Sequence, residues 1–274
     1  MKNTIFKIAI SGALGKMGVS LIKEIYKKNH PCITLGSAIV KKGNTLIGQD
    51  IGEIIGIKKT NVFINDSLKK EIDNFDILID FTNPKNTINN LKVCSENQKK
   101  IVIGTTGLSD TDIEIIKELS KKIGIVLDSN YSIGINLMLY LLRKTAITIG
   151  KNSDIEIIEA HHREKQDAPS GTAIHMGKII SNEMNWDFQK TEVYRKKGII
   201  GKRKKNTIGF STIRGGDIIG EHTVIFANLG ERIEIIHKAT NRSTFSQGAL
   251  KAAKWLISQR KTGLFHMRDI LKIQ

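Results

Sequence analysis

The seven residues GALGKMG, Gly12 to Gly18, constrain the fold more than any other stretch of this 274-residue chain. They follow the apolar run KIAIS (Lys7 to Ser11). They precede a segment, Lys16 to Lys28, that sets Val19, Ile22, Ile25 and Tyr26 at helical spacing. Strand, glycine turn and helix together open a βαβ unit. In such a unit Gly12 permits the tight turn, and the N–H groups and positive end of the helix face an anion such as a pyrophosphate. The alternative is a turn whose glycines only let helix and strand pack closely. The position after a strand and before an amphipathic helix favours the anion.

The apolar runs that follow extend the pattern. Cys32 to Val40 (CITLGSAIV), Phe75 to Phe81 (FDILIDF), Lys100 to Ile103 (KIVI) and Gly124 to Leu127 read as strands. Several have the uninterrupted apolar character of parallel strands buried on both faces. Asn83 to Asn97 and Asp110 to Lys121 read as the intervening helices. This predicts an α/β, Rossmann-like dinucleotide-binding domain over residues 1–130. After Tyr131 the pattern changes. A Leu- and Met-rich helix, Gly134 to Ile147, leads into alternating strands at Asp154 to His161, Thr207 to Arg214, His222 to Asn228 and Arg232 to Ala239. They predict a second, α+β domain over 131–240 with a mixed, largely antiparallel sheet, one face covered and the other open to a partner. A closing helix, Ser243 to Gln259, places 241–274 as a segment returning to the first domain.

Open α/β sheets bind ligands at the carboxyl ends of their strands. Gly12, Ala13, Leu14, Gly15, Lys16 and Met17 form the phosphate turn. Gly104, Thr105 and Thr106 of GTTG, and Asp128, Ser129, Asn130 and Tyr131 of DSNYS, stand at two other strand ends as candidates to line a nicotinamide and its ribose. Asp80, Phe81 and Thr82 stand at a further end. The second strand runs into Val40, Lys41 and Lys42, where a site for NADH usually carries an acidic residue. A lysine attracts the 2′-phosphate of NADPH, which a carboxylate repels, so Lys41 points to NADPH. A solvated lysine pair is the plainer reading.

Composition closes off other classes. The formal charge of +16, from 43 basic and 27 acidic residues, raises the question of nucleic acid. The lysines, however, are dispersed as pairs at 27–28, 41–42, 58–59, 69–70 and 99–100. The densest patch, RKKGIIGKRKK at 195–205, lacks the interleaved aromatics of a stacking platform. No nucleic-acid partner is expected; a positive surface also suits small polyanions. No apolar run is long enough for a membrane span, and no signal-peptide pattern opens the chain. The two cysteines, Cys32 and Cys94, form neither a disulfide framework nor a metal spacing, which fits a cytoplasmic protein.

The densest chemistry lies in EAHHREKQDAPSGTA, Glu159 to Ala173. His161 and His162 end a strand, where neighbouring side chains diverge, so they make a poor metal pair and no metal is expected. Pro169 sets a turn, Gly171 allows close backbone approach, and Thr172 leads into a helix that Ser170 or Thr172 can cap. The helix start and Lys165 suit a carboxylated ligand, while a histidine suits proton transfer near neutrality.

Taken with DFTNP, VIGTTG, SNYSIG, GFSTIRGGDIIGEHTVIF and GLFHMRDIL, these motifs resemble the bacterial dihydrodipicolinate reductase family over nearly the whole chain. The resemblance implies NADPH- or NADH-dependent reduction of 4-hydroxy-tetrahydrodipicolinate, a small dicarboxylate, with loss of water, in lysine and diaminopimelate synthesis. It implies His161 as general acid, Lys165 as the second catalytic residue, and His162, Lys165, Gly171 and Thr172 as the substrate-carboxylate site. It implies also a homotetramer built through the sheets of the second domain. Members that use both cofactors well tend to carry glutamate then arginine where this chain has Val40 and Lys41, so NADPH is the expected preference.

Overall fold

The computed structural model describes residues 5–27, 32–194, 197–199, 201–259 and 261–273. Lys28 of the first predicted helix and Arg195, Lys196 and Ile200 of the basic patch lie outside these residues. The chain divides into two compact units, one formed by Met1–Ile133 with Ser243–Lys272, the other by Gly134–Arg242.

The first unit is built on a seven-stranded sheet, every pairing of which is parallel. Its strands are β1 (Phe6–Ser11), β2 (Ile33–Ile39), β3 (Ile64–Asn65), β4 (Ile77–Asp80), β5 (Lys100–Ile103), β6 (Gly124–Leu127) and β12 (Gly263–Phe265). They lie in the order β12-β6-β5-β4-β1-β2-β3, so the chain reverses its direction of travel across the sheet between β1 and β4. The uninterrupted apolar strands follow from burial on both faces. Ile8, Ile10, Ile77, Ile79, Val102 and Val126 pack in one core with α1 (Lys16–Lys27) and α8 (Ser243–Ser258). Ala9, Leu78, Ile101, Ile103 and Ile125 pack in another with α3 (Pro84–Glu96) and α4 (Asp110–Ser120).

The helix ends are written locally. Asn83 caps α3 through the Asn86 N–H, and Ser109 and Asp112 form a capping box on α4. A short helix α2 (Ile51–Ile54) is fixed by Asp50, whose buried carboxylate accepts the N–H groups of Gly52, Glu53, Thr60 and Asn61. The lysine pair 99–100 is more than dispersed charge. Lys100 Nζ donates to the carbonyls of Leu256 at 2.8 Å and Ile257 at 3.2 Å, and to that of Gln259, closing the C-terminal end of α8. Lys99 Nζ donates to Phe75 O at 2.8 Å.

The second unit opens with α5 (Ile133–Ile149) and carries a five-stranded mixed sheet. Its strands are β7 (Asp154–His161), β8 (Glu192–Tyr194), β9 (Ile208–Arg214), β10 (Gly220–Ala227) and β11 (Arg232–Ala239), ordered β11-β10-β7-β9-β8. β10 is antiparallel to both β7 and β11, whereas β9 is parallel to both β7 and β8. One face, with Ile155, Ile157, Ile208, Phe210, Val224 and Phe226, is covered by α5 and by α6 (Gly171–Glu183). The helix α7 (Phe188–Thr191) precedes β8, and α9 (Met267–Leu271) closes the first unit after β12. Among the described residues no helix is long and apolar enough to cross a membrane.

Candidate active site

In the first unit the turn after β1 doubles back on β2. The N–H groups of Gly12 and Ala13 both donate to Ile39 O at 3.0 Å, so Lys41 emerges, exposed, two residues beyond the carbonyl that holds the turn. Gly12 has φ +81°, and a Cβ there would stand 2.7 Å from Phe81 O; a Cβ at Gly18 would stand 2.2 Å from Gly12 O. The turn therefore needs glycine at both places, for conformation and for close helix packing. Val19 N–H donates to Gly15 O, which makes Lys16, Met17 and Gly18 the first turn of α1. Their N–H groups have no acceptor within the helix, and Gly15 has no side chain to cap them. This is unlike the helices capped by Asn83, Ser109 and Ser170. An uncapped helix start above a glycine turn fits a pyrophosphate.

A buried polar network organises the neighbouring strand ends. Asp80, at the end of β4, is fully buried. It accepts Thr82 Oγ1 at 2.6 Å, Thr82 N at 3.0 Å, Asn90 Nδ2 at 2.9 Å and, more weakly, Thr105 Oγ1 at 3.4 Å. Asn90 also reaches Ser11 Oγ at 3.0 Å, so the network joins the ends of β1, β4 and β5. Burial pushes the Asp80 carboxyl up, and the hydrogen bonds from Thr82 and Asn90 offset only part of that.

Several of the residues expected to line the cofactor serve the scaffold as well. Thr105 is buried in this network, whereas Thr106 is exposed. Asp128 accepts Met267 N–H at 3.1 Å, anchoring α9, and Asn130 Oδ1 accepts Ser132 N–H at 2.9 Å. Ser129 is exposed, but the Tyr131 ring is buried and its hydroxyl donates to Ile103 O at 2.7 Å. Any contact from residue 131 to a ligand is therefore left to its main chain.

In the second unit, period-2 alternation puts Glu159 and His161 on the same face of β7 as Ile155 and Ile157, at the strand's end. Register adds His222 of β10 opposite Glu159, and Thr212 and Arg214 of β9 beside Glu159 and His161. Glu159 is 1% exposed. Its Oε2 lies 2.5 Å from His161 Nδ1 and 2.8 Å from Arg214 Nη1; its Oε1 accepts Arg214 Nη2 at 2.7 Å, Ser170 N at 3.1 Å and Thr212 Oγ1 at 3.2 Å. Burial pushes the Glu159 carboxyl up, but the hydrogen bonds and charges of His161 and Arg214 outweigh it and bring it to about 2.

Ser170, rather than Thr172, caps α6, accepting Ala173 N–H at 3.2 Å. Ile174 N–H bonds to Ser170 O, which leaves the Gly171 N–H without an acceptor inside the helix. A Cβ at Gly171 would meet no protein atom, so the space over it is open. Lys165 Nζ stands 2.7 Å from Asp167 Oδ1 and holds that carboxyl below its ordinary value. His162 lies just past the strand, its carbonyl accepting Lys165 N–H at 3.1 Å. Among the described residues no three His, Cys, Asp or Glu side chains converge as a metal site would need.

A doubly wound parallel sheet with a glycine turn, followed by a mixed-sheet unit that gathers a histidine, a carboxylate and an arginine, defines a two-unit oxidoreductase of the dinucleotide-binding kind. Residues 6–131 match the family model for the dihydrodipicolinate reductase N-terminus and residues 134–271 that for its C-terminus, so the chain belongs to the dihydrodipicolinate reductase family. It is 56% identical over 274 residues, all of both chains, to the 4-hydroxy-tetrahydrodipicolinate reductase of Buchnera aphidicola subsp. Baizongia pistaciae (strain Bp). It is 51% identical to that of Buchnera aphidicola subsp. Acyrthosiphon pisum (strain 5A), over 97% of this chain and 98% of the other. Its fold resembles a dipicolinate-bound dihydrodipicolinate reductase from Paenisporosarcina sp. TG-14, with a TM-score of 0.75 and 24% identity over 96% of this chain and 98% of that one.

Proposed function

We propose that this protein catalyses the NAD(P)H-dependent reduction of 4-hydroxy-tetrahydrodipicolinate to tetrahydrodipicolinate with loss of water, in the cytoplasmic synthesis of lysine and diaminopimelate. The observation that carries this is the 56% identity to a reductase of that name across the whole of both chains. One hydride and one proton enter as water leaves, which balances the reaction.

Residues 1–130 bind the cofactor, 131–240 bind substrate and assemble the oligomer, and 241–274 complete the first domain. The turn from Gly12 to Met17 holds the pyrophosphate, and Gly104, Thr106, Asp128 and Ser129 line the nicotinamide end. The bound cofactor supplies the hydride. His161 gives the proton, and Lys165, His162, Gly171 and Thr172 hold the two carboxylates, the α6 start lending its positive dipole end. Purified protein should oxidise NADPH when given freshly generated substrate, and His161→Gln or Lys165→Ala should each lower kcat by roughly 100-fold or more. Near-normal kcat in both variants would overturn the assignment.

Lys41 selects NADPH over NADH. Lys41→Ala should raise KM for NADPH by roughly tenfold, about 1.4 kcal/mol, and leave KM for NADH nearly unchanged. Equal loss for both cofactors would overturn the 2′-phosphate role. The uncovered face of the mixed sheet supports assembly as a homotetramer: Ile213 and Ile236 are 51% and 52% exposed there, in rows with Ala160, Ile158 and Thr223. Sedimentation reads the subunit number directly.

A further inference from the structure

We propose that Glu159 is a positioning residue for proton transfer, holding His161 in the tautomer that keeps Nδ1 protonated and gives up its proton from Nε2, with Arg214 holding Glu159 in place. The inference rests on the reading of His161 as proton donor.

Hydrogen-bond accounting fixes the tautomer. Arg214 and the Ser170 N–H are obligate donors, and between them they occupy both oxygens of Glu159. The bidentate guanidinium and the backbone N–H favour the ionised form and, with His161, bring the carboxyl to about 2, so near neutrality Glu159 is a carboxylate and can only accept. His161 Nδ1, at 2.5 Å from Oε2, must then donate. The proton that comes and goes is the one on Nε2. That nitrogen faces Gly220, where an added Cβ would stand only 3.1 Å away, so glycine leaves Nε2 its room.

Arg214 does more than balance charge. Its Nη2 also donates to Asp167 O at 2.7 Å, and Ser170 N–H donates to Glu159 Oε1 at 3.1 Å. The same carboxylate therefore ties the histidine to both ends of the DAPS turn, four residues that lead into the substrate-binding helix start. Across β7 on this face stand His222 of β10 and, in register beyond it, His237 of β11, whose imidazole burial holds below its ordinary value. The His222 ring lies edge-on to His161 at 5.3 Å, and its Nε2 stands 3.2 Å from Ser170 Oγ. Burial above all, then the nearby His161, holds His222 down to about 4. It stays neutral and places no second positive charge beside His161. Lys165 and Asp167 pair with each other near the same turn.

The test is the full-length Glu159→Gln enzyme, assayed for NADPH oxidation with freshly generated substrate across pH. An amide retains one acceptor oxygen, carries no charge and cannot satisfy all these donors. We expect kcat to fall by roughly 100-fold with substrate KM within about threefold, and the alkaline limb of the kcat profile to move to lower pH. Glu159→Asp should restore part of the rate. Nitrogen-15 spectra of the histidine rings should show His161 as the Nδ1–H form in wild type and as a mixture in Glu159→Gln. Unchanged kcat and pH limb in Glu159→Gln, alongside a large loss in His161→Gln, would overturn the positioning role alone. Unchanged kcat in His161→Gln would overturn the underlying reading. Should Glu159→Gln fail to fold, Arg214→Lys keeps the charge but loses the bidentate fork. It should lower kcat and move the same limb, and no movement of either would overturn the proposal.

Discussion

Each unit buries one carboxylate at the end of a strand, and the two are handled in opposite ways. Asp80 is fully buried and Glu159 is 1% exposed, so desolvation bears on both. Around Asp80 the donors are hydroxyls, an amide and an N–H, all neutral, and the carboxyl is pushed up. Around Glu159 stand a bidentate guanidinium and an imidazole, and the carboxyl is brought down to about 2. Desolvation pushes both carboxyls up, and what brings Glu159 down is a cation at hydrogen-bond distance, which Asp80 lacks among its donors. The first network ties the ends of β1, β4 and β5 together through neutral donors alone. The second keeps a negative charge next to the histidine that we assign to proton transfer.

The largest effect should come from removing the cation beside Glu159. Arg214→Met takes the bidentate cation from a buried carboxylate and leaves it His161, Thr212 and the Ser170 N–H. We expect a loss of about 3 kcal/mol in urea unfolding at neutral pH. The deficit should shrink as pH falls, because the carboxyl then takes up a proton and needs no cation. In wild type the sign is reversed. The folded value for Glu159, about 2, lies below its ordinary 4.5, so its contribution is present above 4.5 and is lost as pH falls towards 2. A deficit in Arg214→Met that stays constant from neutral pH to pH 4 or so would show that the guanidinium serves packing rather than charge.

The strand ends that the first network joins were open to reading from sequence, though not the Asn90 bridge, because β1, β4 and β5 are short apolar runs punctuated by Gly, Thr and Asp. The period and the punctuation give the strand ends, and the strand ends give the ligand side of the sheet. The strands β3, β8 and β12, at two or three residues, are too short to show a period and exist only through their neighbours. In the second unit His161, Lys165 and the PSGT turn stood out by chemistry. Glu159 was within reach of the same pattern, two residues before His161 and so on its face. Arg214 was not: its place beside His161 depends on the parallel pairing of β7 with β9, a register set by tertiary packing. Lys100 shows the same limit from the other side. Its pairing with Lys99 suggested surface charge, and only the fold reveals the carbonyls at the end of α8 that it closes.

The smallest effect should come from neutralising the other carboxylate. In Asp80→Asn the amide oxygen can keep the bonds from Thr82 N–H and its hydroxyl, which both reach Asp80 Oδ1. The new NH2 then faces Asn90, whose amide must turn over so that its oxygen accepts from both residue 80 and the Ser11 hydroxyl. That arrangement satisfies every partner Asp80 now has on that side, so the change at neutral pH should stay within about 1 kcal/mol. The pH dependence carries the sharper test. A carboxyl raised above its ordinary 3.8 contributes fully below that pH and loses its contribution as pH rises through the folded value, whereas an amide does not titrate. Urea midpoints should therefore shift in favour of Asp80→Asn as pH rises from about 4 towards neutrality, opposite in direction to the Glu159 effect. A loss at neutral pH as large as that of Arg214→Met would mean that Asp80 is held as an anion after all, and that neutral donors alone can do what the guanidinium does for Glu159.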